Sequence, residues 1–435
     1  MTDTGPADPA APDRPTAPDA HDGLSGLTAP DAPDRLAGPT ASATTPDRTP
    51  AAPARRPRRA WRAATAVAVA LLLLAAAFWG WSVLADQRYA AARADHAQAV
   101  ENQDDAWSAL GARLRSVHNN LVRAHSVTAT AEFASEPLPE ADPLVARTAD
   151  LDALEAEVQN TYGTDGPSAP DLPEPDGWQP PWAVLGAADD AEQSTDTLQA
   201  TAADLTGIAV DAATADTALD DASTAYFAAV AAHADATVAA SPLAAKRTTV
   251  ALTRYLEQAR DPAQSAAHTG PLLTELEAAE REVAASQQTI AAQQSDPAWA
   301  VRNEIEAYAR SISHGVTLDF DWSAEVSGKG EGWYSGTAET YDSDGGWSII
   351  SLNYPVENDW YSDPNPRALV THEVGHTQIY RDDCRALFTG PVFDGDQETW
   401  ATAWAIAQGF DLPGSGIEAY GRPTDEQIAT AAQCD

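Results

Sequence analysis

The chain has 435 residues and carries 65 acidic side chains against 26 basic ones, a net charge of −39. A balance this acidic argues against nucleic acid as a partner and favours cationic partners or simple solubility. Residues 1–54 are mostly Pro, Ala, Asp and Thr with a recurring Ala-Pro-Asp, and cannot bury enough apolar surface to offset ordering. We therefore expect residues 1–60 to be a disordered tail. Arg55, Arg56, Arg58, Arg59 and Arg62 follow, and then Ala63 to Ala85 contains no charge over 23 residues. About 20 apolar residues cross a bilayer, so residues 61–85 are expected to form a transmembrane helix, with tryptophans Trp61, Trp79 and Trp81 towards its ends. The arginines hold the N-terminus in the cytoplasm, which makes the chain a single-pass protein of the cell membrane with its C-terminal part outside. A leader of more than ~60 residues is too long for a cleaved signal peptide. Eight Arg balance eight Asp up to Arg62, so the whole net charge falls on the outward remainder.

Residues 86–295 read as an extracytoplasmic antiparallel helical bundle or a stalk with folded-back helices. Trp107, Leu110, Leu114, Val117 and Leu121 step by three and four, a coiled-coil-like seam. Leu144, Leu151, Leu154 and Val158 continue the pattern, and Asp165 to Pro181 is a Pro- and Gly-rich linker. Further helices are expected from Ala183 to about Ala240, Pro242 to about Arg260 and Pro271 to Gln294. This region can space, dimerise or sense; an apolar stripe is first of all core. His118 and His125 are expected at its surface.

Residues 296–435 differ in pattern. Asp296-Pro297 opens a helix to about Ser311. Val316–Trp322, Gly332–Thr340 and Trp347–Tyr354 read as three strands, with turn chemistry at Asp344-Gly345 between the last two. Asp342 and Asp344 lack the other positions of a calcium loop, so a hairpin turn is the better reading. Asp319 and Asp321 share one strand face, expected to be solvated. Asn365-Pro366 then starts a helix to about Arg381 that carries His372-Glu373-Val374-Gly375-His376.

This HExxH word carries the chemistry. Two histidines four apart project from one helix face and can grip one zinc ion, with Glu373 beside its water as general base. No histidine follows, so a third protein ligand must be a carboxylate. Asp382, Asp383, Asp394, Asp396, Glu398 and Glu418 are the candidates. Glu398 fits best, because it opens a compact helical stretch ended by Gly409, with Asp394 and Asp396 better placed as caps. Tyr380, Tyr361 and His314 are open candidates for stabilising an oxyanion.

These residues resemble the small gluzincin zinc metallopeptidases, minimal relatives of thermolysin, over about residues 297–435. The pattern as a whole reads as a mainly α chain ending in an α+β domain, and for that domain the resemblance implies a helix, a three-stranded antiparallel sheet, the HExxH helix and the Glu helix. It implies His372, His376 and Glu398 as Zn2+ ligands, Glu373 as catalytic base, and a peptide or protein substrate added to the edge strand Trp347–Tyr354. The family's second helix often reads E-x-x-A-D, with the Asp steadying a ligand histidine; here Thr402 stands at that place. A hydroxyl orients an imidazole less strongly than a carboxylate, which keeps a zinc-binding but inactive scaffold or receptor as the alternative. A zinc-free envelope protein is the remaining rival. Cys384 and Cys434, in an oxidising compartment, are expected to form a disulfide that pins a C-terminal helix begun by Thr424 and Gln427.

Overall fold

The structure, a computed structural model, describes residues 58–135, 138–173, 177–342 and 345–434. Residues 1–57 of the tail expected over 1–60 lie outside the described residues, and residues 58–60 are already helical rather than part of a tail. The chain divides into two compact units, Met1–Leu73 and Leu74–Asp435. Helix α1 runs over Arg58–Thr128, and it is the one helix among the described residues long and apolar enough to cross a membrane. It is followed by α2 (Ala131–Ser135), α3 (Ala141–Tyr162), α4 (Pro181–Ala240), α5 (Lys246–Arg260) and α6 (Gly270–Ser295).

The heptad seam is core: Leu110, Val117 and Leu121 are buried, and Leu144, Leu151 and Val158 of α3 are buried with them. Each such side chain contributes roughly 1.5–3 kcal/mol by leaving water. Helix α3 runs antiparallel to α1, with His118 beside Glu155 and His125 beside Asp152, so both histidines occupy the expected surface. Helix α4 instead runs parallel to α1: Arg88 pairs with Glu192, His96 meets Ser194, and Asn120 donates to Asp216. The Pro-rich connection makes this possible by returning along the bundle, where Gln103 and Tyr89 donate to the carbonyls of Pro167 and Pro173. The bundle is thus only partly antiparallel.

The C-terminal part follows as α7 (Ala300–Ser311), β1 (Thr317–Ser323), β2 (Gly336–Tyr341), β3 (Trp347–Asn353), α8 (Tyr354–Asn358), α9 (Asn365–Gln378), α10 (Asp382–Phe388), α11 (Gln397–Ala407), α12 (Ile417–Tyr420) and α13 (Asp425–Ala431). Their shared core includes Ile305, Ile350, Leu352, Val374, Trp400 and Trp404.

Two expectations about the sheet are corrected. It is mixed, not antiparallel, with order β1-β3-β2: β2 pairs antiparallel with β3, but β1 pairs parallel with β3. Strand β3 is therefore central and cannot be the edge that receives a substrate. The physical reason lies in its side chains. Trp347, Ser348, Ile350, Leu352 and Asn353 are all buried, a strand covered on both faces, whereas β2 alternates in exposure. Strands β2 and β3 pair antiparallel as expected, with Tyr341 stacked on Trp347, and Asp344 of the expected turn lies outside the described residues.

A third correction concerns Asp319. It is buried, and its carboxylate accepts hydrogen bonds from the backbone N–H groups of Lys246 and Arg247 at 2.8 and 2.9 Å. Helix α5 has Ala245 at its N-cap, which offers no side-chain acceptor, so a residue of β1 caps it instead. Arg247 also forks onto Asp321 at 2.7 and 2.9 Å. The bundle and the sheet are thereby tied together.

Cys384 and Cys434 are joined by a disulfide, with Cα atoms 5.1 Å apart. Closing a loop with a sequence separation of 50 is worth about 4 kcal/mol by chain entropy. The expected capping box at Thr424 and Gln427 is present at the start of α13.

Candidate metal centre

Helix α9 begins at Asn365 with Pro366 in its first turn, and Asp363 accepts from the Asn365 N–H. The capping acceptor is thus Asp363 rather than Asn365, whose own side-chain oxygen accepts from Gly414. Helix α11 begins one residue after Asp396, which accepts from the Thr399 N–H at 3.1 Å as expected. The two helices pack closely, and Trp400 Nε1 donates to the Gly375 carbonyl at 3.1 Å. This packing faces the HExxH word towards the first turn of α11.

The result brings His372, His376 and Glu398 together. Nε2 of His372 lies 3.1 Å from Nε2 of His376, and Oε2 of Glu398 lies 3.3 Å from each. Among the described residues this is the one group of three or more His, Cys, Asp or Glu arranged so that it could hold a metal ion. The other proposed carboxylates are placed elsewhere: Asp383 pairs with Arg381 and Asp396 caps α11, while Asp382, Asp394 and Glu418 are not part of the group.

The three atoms are spaced so that they could hold a metal ion. A tetrahedral ion with arms of ~2.0–2.1 Å separates its ligands by about 3.3–3.4 Å, close to the triangle observed. The Glu398 Oε2 atom is buried yet makes no well-directed hydrogen bond, which leaves its lone pairs for a cation. The Glu398 side chain as a whole is 41 % exposed, so the group is open on one side.

The electrostatics follow the geometry. Burial works against charge on Glu398, but the two imidazoles beside it prevail and hold its carboxyl well below the usual range. Burial likewise opposes a proton on His376, and Glu398 and Glu373 outweigh it and raise that ring's pKa. Glu373 is buried, which pushes its carboxyl up; His372 and His376 oppose the shift and Glu398 adds to it. Glu373 also faces the start of β2, where a Cβ added at Gly336 would stand 2.8 Å from its Cγ.

The far side of His372 is furnished by α11 and by the turn before α12. Thr402 Oγ1 stands 3.5 Å from Nδ1, the ring nitrogen not used by the triad. Gly416, at φ 96°, allows the chain to pass beside both groups; a Cβ there would come within 2.4 Å of Thr402 Oγ1 and 2.8 Å of the His372 ring.

Tyr420 is not among the residues the sequence singles out. Its ring stacks on His372 at 5.9 Å between centroids and 8° between planes. Burial, followed by the charge and hydrogen bonding of Glu398 and the charge of Glu373, raises its phenol to about 12, so it is a protonated donor at neutral pH. The only sequence signal is a bracket of turn glycines, Gly416 and Gly421, which says nothing of direction. The earlier candidates have other partners: Tyr361 donates to Glu304, His314 packs edge-on against Trp404, and Arg385 lies over Tyr380.

No protein-family model matches the chain, and neither a curated protein nor a solved structure matches it.

Proposed function

We propose that the protein is a membrane-anchored zinc peptidase whose C-terminal region, residues 296–435, works outside the cell membrane. The observation that carries this reading is the convergence of two imidazoles and one carboxylate beside a buried glutamate. His372, His376 and Glu398 hold the ion. Bound zinc supplies Lewis-acid polarisation of a peptide carbonyl and acidifies water.

The chain's own residues do the remaining work. Glu373, with its carboxyl raised by burial, takes a proton from the attacking water and delivers it to the leaving amine. Tyr420, from beside His372, donates a hydrogen bond through its phenolic O–H to the developing oxyanion and keeps its proton. The sheet order leaves β2 as an edge, and β2 begins against Glu373. We therefore assign the extended substrate to the outer edge of β2, where backbone N–H and C=O groups accept a further strand. Thr402 orients His372 through Nδ1.

Helix α1 supplies the anchor, with its arginine-flanked end in the cytoplasm. The partners are a peptide or protein substrate and the lipid bilayer, without nucleic acid, and the helical stalk offers a surface for a homo-oligomer. A second reading, a scaffold that binds zinc without turnover, draws on the hydroxyl at Thr402 in place of a carboxylate.

The test is elemental analysis of the purified protein alongside cleavage of a peptide library. Glu373→Gln is expected to keep stoichiometric zinc and lose hydrolysis, and His372→Ala to lose both. Hydrolysis retained by Glu373→Gln overturns the assignment; zinc without hydrolysis in the wild type selects the scaffold.

A further inference from the structure

An aromatic cluster at the base of the bundle brings a distant part of the chain to the end of the apolar helix. Phe78 and Trp81 lie near the end of the uncharged run Ala63–Ala85. About 20 residues cross the hydrocarbon, so a span counted from Ala63 ends near Ser82. Across from it stand two tryptophans from about a hundred residues later in the chain, Trp178 and Trp182. The Trp178 ring is 6.4 Å from that of Phe78, and the Trp182 ring is 6.2 Å from that of Trp81. These contacts do not bury the cluster: Trp178 is 77 % exposed, Trp79 72 % and Trp182 61 %.

The charge pattern shows the same boundary on both helices. Because α4 runs parallel to α1, its first turns lie beside the end of the apolar run. Those turns, Pro181-Trp182-Ala183-Val184-Leu185-Gly186-Ala187-Ala188, contain no charge, and α4 becomes acidic only at Asp189. Arg88 of α1 meets Asp189 and Glu192 at 2.7 and 2.8 Å, one layer above the tryptophans. Pro180 and Pro181 carry no N–H, so the start of α4 presents fewer unpaired donors to a weakly hydrated zone. A cluster of exposed indoles continuous with an apolar span, and closed above by ion pairs, has the chemistry of a bilayer interface.

We propose that Trp178 and Trp182, together with Phe78, Trp79 and Trp81, sit in the headgroup–acyl boundary of a phospholipid bilayer. The start of α4 is then a second point of membrane contact beside the anchoring helix. This rests on the reading that α1 spans the membrane. Its consequence is mechanical: two contacts restrain the bundle against swivelling on a single helix, and the sheet tied to α5 through Asp319 shares that restraint.

The test uses the full chain in phosphatidylcholine–phosphatidylglycerol vesicles. Single cysteines at W178C and W182C are labelled with an environment-sensitive fluorophore, and quenching by lipids with a nitroxide high on the acyl chain is measured. L72C reports on the span. V210C, at a site 60 % exposed, reports on water, since ~28 residues of helix place it about 42 Å beyond residue 182. Labels at 72, 178 and 182 are expected to be quenched at least threefold more than the label at 210. If 178 and 182 behave as 210 while 72 is quenched, the second contact is wrong and the span stands. A blue-shifted but unquenched label at 178 reports a protein partner, such as a second copy, and also overturns the proposal. If 72 is not quenched, the spanning helix fails and the inference falls with it.

Discussion

The Thr402 hydroxyl faces Nδ1 of His372 at 3.5 Å, while Nε2 of the same ring faces His376 and Glu398. One side of the imidazole is thus committed to the metal-binding group and the other to a buried hydroxyl. The second nitrogen's partner fixes the tautomer and aim of a ligand histidine. Thr402→Val keeps the shape and removes the oxygen. It is expected to weaken zinc binding by roughly tenfold, the lower end of the range for such outer partners. Competition with a calibrated chelator measures this, and an unchanged dissociation constant shows that the hydroxyl only fills space.

Tyr420, itself 54 % exposed, stacks on the same ring, so its phenol is positioned by His372 rather than by the core. Loss of one oxyanion donor costs about 10²–10³ in kcat. Tyr420→Phe preserves the stack and is expected to lower kcat by that factor with zinc content unchanged. A rise in KM at constant kcat would instead give Tyr420 a role in substrate binding alone.

These two residues also show what a sequence discloses. His372, Glu373 and His376 are legible because helical geometry fixes residues four apart without help from the rest of the fold. Glu398 is legible because Asp396 caps its helix and Gly409 closes it. Tyr420 is not, since a short helix between glycines can face anywhere until Gly416 is seen against His372. The strand order was written in burial rather than in spacing: Trp347-Ser348-Ile349-Ile350-Ser351-Leu352 is too apolar for an edge, and the family resemblance alone placed β3 there. Helix α5 illustrates the last kind of gap. Its cap, Asp319, lies 73 residues beyond Lys246.

That long-range cap makes a separable prediction. Asp319 is buried and satisfies two backbone donors, whereas the Arg247–Asp321 fork is half exposed and worth ~0–1 kcal/mol. Asp319→Ala is expected to cost about 2 kcal/mol, in line with hydrogen bonds to a charged acceptor, and Asp321→Ala much less. Hydrogen exchange locates the effect: the amides of Lys246 and Arg247 should lose protection in the first variant and keep it in the second. Equal exchange in both would mean that the sheet does not hold the helix start.

His268 gives the bundle a pH dependence of defined sign. Its ring is buried, stacks on Phe227 at 4.4 Å, and has one nitrogen bound to the Ala259 carbonyl and Nδ1 without a partner. Burial lowers its pKa; the Ala259 carbonyl opposes this and the charge of Arg123 reinforces it. The folded ring therefore stays neutral where the unfolded ring, with its ordinary value near 6.5, takes a proton. Below that pH the unfolded chain binds more protons, so stability falls as pH drops from 6.5 towards the folded-state value, and it is fully present above 6.5. His268→Phe keeps an aromatic ring for the stack and removes the titration. Between pH 7 and pH 5, hydrogen exchange in α5 and α6 is expected to accelerate more in the wild type than in this variant, after correction for the intrinsic exchange rate. Carboxylates elsewhere titrate in both proteins and cancel in the comparison. Identical acid sensitivity in the two would mean that the ring already finds a partner for its proton within the fold.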